Sequence, residues 1–367
     1  MASTEPKQTG GKRIGRGRYG CVFDPPLLCI KKTKTGDKQL VGKLTNQKDA
    51  EKEIEISKML KTIPEATRYF ILIEDHCKPK PRAQQTEPDL QRCPPAAGEK
   101  YNSMIQLLMP HAGKTLYSVP KRASNLDFFR LGQHLLEAGT LLLTKGIVHL
   151  DLHSQNIVTT NPFTPKILDF GAAYIPSGLN VLNYRQVLRS YNPAVSQEPP
   201  EMTVINAIEA NVPENVALAG IQQDKDVLVY IAGLTSLSAE EQIARLRQFL
   251  RTSKTFQERN WLAFFKVFWT KVDAWGIGSL LAELYTNLSL DPAFESQQST
   301  QEKSPLAINV IAGLCDMDPG MRLDCAEALA LWAPQSEVLK QQNVKAWLQE
   351  QGKQRAALLA KTKSTAS

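Results

Sequence analysis

The sequence predicts an α+β fold in which a small strand-rich lobe precedes a larger, mainly helical lobe. Short stretches rich in Val, Ile, Leu and aromatics recur up to Met109, apolar residues at helical spacing dominate beyond it, and 367 residues exceed what one small core requires. Residues 1–12 are polar and Gly-rich and read as a disordered arm. Strands are expected at Lys12–Phe23, Leu40–Leu44, Tyr69–Glu74 and Met104–Met109, with one helix at Asp49–Lys61. Residues 77–100, crowded with Pro, Gln and charge, read as a loop insertion in a lobe spanning 13–110.

The second lobe, 111–335, opens with a helix at Asn125–Lys145, capped by Ser124 or Asn125 and stopped by Gly146. Two short strands flank a turn at Thr160–Pro165. Helices follow at Asp273–Asn287, Pro305–Cys315 and Asp324–Trp332. Residues 202–260 read as a helical insertion, in which Ser238 and Glu241 have capping-box spacing. A helix and a basic tail complete the chain at 336–367.

Composition narrows the functional classes. Hydrophobic residues make up 42% and charged residues 22%, as in soluble globular proteins, and no apolar run reaches the roughly 20 residues of a membrane span. The six cysteines (Cys21, Cys29, Cys77, Cys93, Cys315, Cys325) contain no C-x-x-C pair, so the expectation is free thiols in a reducing compartment, without a zinc site. A net charge of +7 suits acidic protein substrates or nucleic acid, but a solvated basic surface is the better explanation. No interleaving of aromatic and basic residues points to direct nucleic-acid binding.

Gly15-x-Gly17-x-x-Gly20-x-Val22 lies between two strand-like stretches. Glycines there let backbone N–H groups close on phosphates, with Val22, and Ile14 beside the loop, against the base. A strand rather than a helix follows Gly20, which argues against a dinucleotide-binding turn. Lys43, in Val41-Gly42-Lys43, suits the α- and β-phosphates. Of Glu51, Glu53 and Glu55, Glu53 is chosen as its partner because Ile54, Ile56 and Leu60 give it the spacing of a helix packed under a sheet.

His149-Leu150-Asp151-Leu152-His153-Ser154-Gln155-Asn156 carries the chemistry. Phosphoryl transfer needs positioning and charge neutralisation more than covalent help. Asp151 is the candidate to orient a hydroxyl and accept its proton. Asn156 can bind a metal ion without adding charge. Asp169, in Asp169-Phe170-Gly171, suits Mg²⁺, with Mn²⁺ as its substitute, across the phosphates of ATP.

In this order the motifs resemble the eukaryotic-type protein kinases, and further segments fit. Pro199-Pro200-Glu201 resembles the close of the activation segment. Asp273-x-Trp275-x-x-Gly278 resembles the helix that anchors the catalytic loop, and Asp318-Pro319-x-x-Arg322 carries the arginine expected to pair with Glu201. The resemblance covers roughly Ile14–Trp332 and implies the two-lobed kinase fold with a long insertion after the activation segment. It also implies His111 as the residue whose backbone meets adenine. Tyr19-Gly20-Cys21-Val22-Phe23-x-Pro25-Pro26-x-x-Cys29, with Met109-Pro110-His111-Ala112-Gly113-Lys114-x-Leu116, is similar to serine/threonine kinases of nucleocytoplasmic large DNA viruses: the poxvirus, African swine fever virus, mimivirus and algal virus groups. That likeness implies serine/threonine specificity toward protein substrates and a place in the virion or host cytoplasm; a monomer without membrane attachment is expected.

The sequence departs from the family at Leu150, where arginine is usual, and at His153, where lysine is usual. His153 is therefore a candidate to assist transfer as a cation. Asp-x-His-x-x-Asn also resembles aminoglycoside and choline phosphotransferases, making a small-molecule kinase the rival reading; a catalytically weak scaffold is a third. The late Trp275 and Arg322 motifs speak against the first. The joint presence of Lys43, Asp151, Asn156 and Asp169 speaks against the second.

Overall fold

The computed structural model describes residues 11–17, 20–31, 39–85, 90, 93, 96, 98–159 and 164–364. The expected arm therefore lies outside the described residues up to residue 10, while Lys12 already belongs to a strand. The chain divides into two compact units, Met1–Gly113 with Leu168–Gly171, and Lys114–Ile167 with Ala172–Ser367.

The first unit is an antiparallel five-stranded sheet in the order β1-β2-β3-β5-β4, formed by Lys12–Gly17, Gly20–Asp24, Leu40–Asn46, Asp75–Cys77 and Met104–Pro110 as β1 to β5. Helix α1, Gln47–Leu60, starts where the Asn46 side chain accepts the Asp49 N–H. It buries Ala50, Glu53, Ile56, Ser57 and Leu60 on one face. The strand expected at Tyr69–Glu74 is displaced. Ala66–Tyr69 forms a short helix, α2, and the polar Asp75–Cys77 pairs with β5 instead. Phe70–Ile73 is apolar because it is buried, not because it joins the ladder.

The cysteine expectation is corrected here. Cys21 is bonded to Cys93 and Cys29 to Cys77, leaving only the buried Cys315 and Cys325 as free thiols. The partners are 72 and 48 residues apart, so no local spacing announces them. Backbone bonds from Ile30 to Lys78 O (2.9 Å) and from Lys80 to Leu28 O (2.7 Å) set Cys29 opposite Pro79, two residues from Cys77. Nearby, the Gln106 amide accepts from Leu27 N (2.8 Å) and donates to Leu27 O (2.9 Å), as a neighbouring strand would. Gly42 makes room for it, since a Cβ there would stand 2.3 Å from Gln106 Oε1.

The second unit carries a three-stranded sheet, β6-β7-β8 (Lys114–Thr115, Ile157–Thr159, Pro165–Ile167). Its first helix, α3, runs Phe128–Thr144 from an Asp127 cap, later than the Ser124 or Asn125 start expected. Then come α4 (Pro200–Glu209), α5 (Glu214–Asp224), α6 (Asp226–Leu234), α7 (Ala239–Thr252), α8 (Lys254–Gln257) and α9 (Trp261–Phe268). The Ser238–Glu241 capping box opens α7. The chain closes with α10 (Val272–Leu288), α11 (Pro292–Glu295), α12 (Gln298–Leu314), α13 (Cys325–Trp332) and α14 (Gln342–Ser364). Pro305 lies inside α12 rather than at its start. Helix α10 is almost wholly buried and packs on α3, α6 and α12. Gly139 lets α3 approach closely, because a Cβ there would meet Cys325 Sγ at 2.6 Å and Ile277 Cδ1 at 2.7 Å. Among the described residues no helix is long and apolar enough to cross a membrane.

Candidate active site

In the first unit β1 and β2 form the hairpin of the glycine motif, with Gly15 opposite Val22 and Gly17 opposite Gly20. Residues 18 and 19 lie outside the described residues. Gly20 admits no side chain, because a Cβ would stand 2.1 Å from Leu44 O, whereas one at Gly17 would meet nothing within 4 Å. Ile14 is exposed and Val22 half-buried. His111 ends up exposed; its N–H donates to Gln39 O (3.2 Å) and its Nε2 lies 3.4 Å from Asp24 Oδ2.

Lys43 on β3 is buried, and its Nζ lies 2.7 Å from both Glu53 Oε1 and Asp169 Oδ1. Glu51 and Glu55 face solvent. Burial alone would lower the Lys43 pKa, but Asp169 and Glu53 outweigh it and raise it. Burial pushes the Glu53 carboxyl up, against the pull of Lys43. Asp169 adopts φ 66°, and its Oδ1 also accepts the Gly171 N–H (3.1 Å). Lys52 holds the same turn by donating to Gly171 O.

In the second unit the loop around Asp151 is built on α10. Both carboxylate oxygens of buried Asp273 accept backbone N–H groups, from His149 (2.7 Å) and Leu150 (2.9 Å). This fixes Leu150 at φ 69°, a left-handed conformation that costs a leucine roughly 1–2 kcal/mol. Asn156 Nδ2 donates to Asp151 O (2.9 Å) and lies 3.3 Å from Asp151 Oδ2. His153 Nε2 is 3.7 Å from Asp151 Oδ2, while its Nδ1 accepts from Gln155 N (3.3 Å). Arg322 pairs with Glu201 through two parallel bonds of 2.8 and 2.9 Å, both residues buried.

Two side chains outside the motifs complete this cluster. Arg189 Nη1 and Gln197 Nε2 reach Asp151 Oδ1 at 3.2 and 3.1 Å. Burial works against the Asp151 charge, but His153, Arg189 and Gln197 hold its pKa far below the usual carboxylate range. Trp275 Nε1 donates to Ser196 O (2.9 Å), fixing the segment beside Gln197. Sequence reasoning missed Arg189 and Gln197 as partners of Asp151. An arginine and a glutamine in an aperiodic segment carry no signal of where they fold back.

Among the described residues no three His, Cys, Asp or Glu side chains gather as a metal site. In the first unit Asp169 offers a carboxylate, and in the second Asn156 offers an amide oxygen. Each is a hard oxygen donor of the kind Mg²⁺ takes, and that ion needs only one or two protein ligands because water and phosphate complete its shell.

Over 87 residues the chain is 32% identical to the serine/threonine-protein kinase US3 homolog of varicella-zoster virus (strain Dumas). The stretch covers 23% of this chain and 22% of that relative. No protein-family model matches the chain.

Proposed function

We propose that the chain is a protein kinase of viral type, which transfers the γ-phosphoryl group of Mg-ATP to serine or threonine hydroxyls of protein substrates. The observation that carries the reading is the meeting of Lys43, Glu53 and Asp169, which come from three separate sequence motifs, at 2.7 Å contacts. Lys43, held by Glu53, would bind the α- and β-phosphates, and Asp169 and Asn156 would hold the metal. The glycines at 15, 17 and 20 would admit the phosphates; Ile14, Val22 and the His111 backbone would meet the adenine. The metal, when bound, neutralises charge on the phosphates. Asp151 orients the substrate hydroxyl. As the oxygen–phosphorus bond forms and the bond to the ADP oxygen breaks, the hydroxyl proton passes to the Asp151 carboxylate. Arg189 is the cation nearest that carboxylate, and the His153 imidazole stands beside it.

The Asp151-x-His153-x-x-Asn156 spacing supports a second reading, a phosphotransferase acting on small hydroxyl compounds. The Asp273 anchor and the Arg322–Glu201 pair favour the protein kinase. Radiolabelled ATP offered to a protein panel and to aminoglycosides and choline separates the two. Label on phosphoserine or phosphothreonine supports the kinase; label only on the small molecules rejects it. The soluble, virion-associated setting belongs to the same proposal.

A further inference from the structure

Helices of the 202–260 insertion grip the segment that ends at Glu201 in three places. Asn206 Oδ1 on α4 accepts the backbone N–H of Arg189 (3.0 Å). Gly220 on α5 lies against the segment so closely that a Cβ would stand 2.8 Å from Tyr191 Oη and 3.2 Å from Pro193 Cγ. Lys225, between α5 and α6, is 1% exposed and donates to Val195 O (2.5 Å) and Glu198 O (3.1 Å). The Glu198 carboxylate is buried too, bonded by Thr203 Oγ1 (2.9 Å) and Asn206 Nδ2 (3.0 Å). The gripped residues, 189–198, contain Arg189 and Gln197, which both bond Asp151 Oδ1.

An internal ammonium is costly unless its hydrogens are used. Here they are spent on main-chain carbonyls of an irregular segment that has no helix or sheet of its own. In many kinases such a segment is ordered by a phosphate paired with the arginine before the catalytic aspartate. This chain has buried Leu150 there, which offers no side-chain donor. We propose that Lys225 is a positioning residue, and that the insertion is a built-in clamp holding residues 189–198 on Asp151 without phosphorylation. The inference rests on the protein kinase reading.

The full chain is treated with phosphatase to clear Ser177, Ser190, Tyr191 and Ser196, then compared with Lys225→Met and Gly220→Leu. The glycine variant adds bulk at the second grip, leaves the buried charge alone and stays testable if Lys225→Met fails to fold. Expected are wild-type turnover within about twofold of the untreated protein, and a roughly tenfold or greater loss of kcat/KM for protein substrate in each variant with KM for ATP nearly unchanged. Amide exchange should quicken about tenfold or more within 189–198 while β1 to β5 keep their protection. Unchanged exchange in 189–198 in the folded variants, or a tenfold loss on phosphatase treatment alone, overturns the clamp. A wild type that labels no protein overturns the kinase reading instead, and the exchange data still decide the clamp.

Discussion

In the first unit one ammonium, Lys43, serves two carboxylates, Glu53 and Asp169; in the second, one carboxylate, Asp151, draws on Arg189 and Gln197 and lies near His153. The first arrangement has a single shared member whose loss takes the bonded cation from two carboxylates at once, one of them deeply buried. The second is redundant. Any one donor can go while others still satisfy a carboxylate that keeps about a quarter of its side chain (23%) exposed. The two clusters therefore differ in their tolerance to substitution.

The carboxylates themselves should separate the two clusters most sharply. Asp169→Asn and Asp151→Asn are each expected to cut kcat by roughly 10³-fold or more, with the fold intact. Only Asp169→Asn should weaken magnesium-dependent ATP binding by calorimetry. Near-normal turnover in either variant would remove that residue from the chemistry.

Stability should show the difference in redundancy. Lys43→Met is expected to cost about 3–5 kcal/mol in urea unfolding, as when one partner of a buried pair is lost. Arg189→Ala should cost no more than about 1 kcal/mol. Equal losses would erase the contrast.

Within the second cluster, Arg189→Ala should lower kcat roughly 10²-fold and His153→Ala about tenfold, because the guanidinium stands 3.2 Å from Asp151 and the imidazole 3.7 Å. His153→Lys should retain activity. A reversed order would make the imidazole the working cation.

A further difference concerns pH. Burial holds the Lys225 pKa down to about 8, against an ordinary 10.5. Between these values the unfolded chain binds more protons than the folded one, so this residue's contribution to stability rises with pH across that window and is level below it. The unfolding free energy of wild type minus that of Lys225→Met should climb from about pH 8 to about pH 10. A flat difference would show that the lysine is not desolvated.

Much of the first cluster could be read from the sequence. Phosphate chemistry demands particular residue types in a fixed order, and the spacing of Ile54, Ile56 and Leu60 singles out Glu53 of three glutamates, though of those three apolar residues only Ile56 and Leu60 share its buried face. Arg189, Gln197 and Lys225 could not be read this way. Their partners lie 38, 46 and 30 residues away, and residues 189–198, where these contacts converge, carry no periodicity. The disulfides were hidden for the same reason. Tyr69–Glu74 failed differently: an apolar run reports burial, and burial alone does not say which residues take the ladder bonds.

Gly42 and Gln106 constrain how this chain can vary. Gly42 precedes the phosphate-binding candidate Lys43, where another residue would be expected to drift freely. Any side chain there displaces the Gln106 amide, and shortening Gln106 abandons the N–H and C=O of Leu27 in a buried setting. The two positions are thus epistatic. A path from glycine to alanine at position 42 passes through a less stable intermediate unless the change at 106 arrives with it, so identity beside the lysine is set by a residue on another strand.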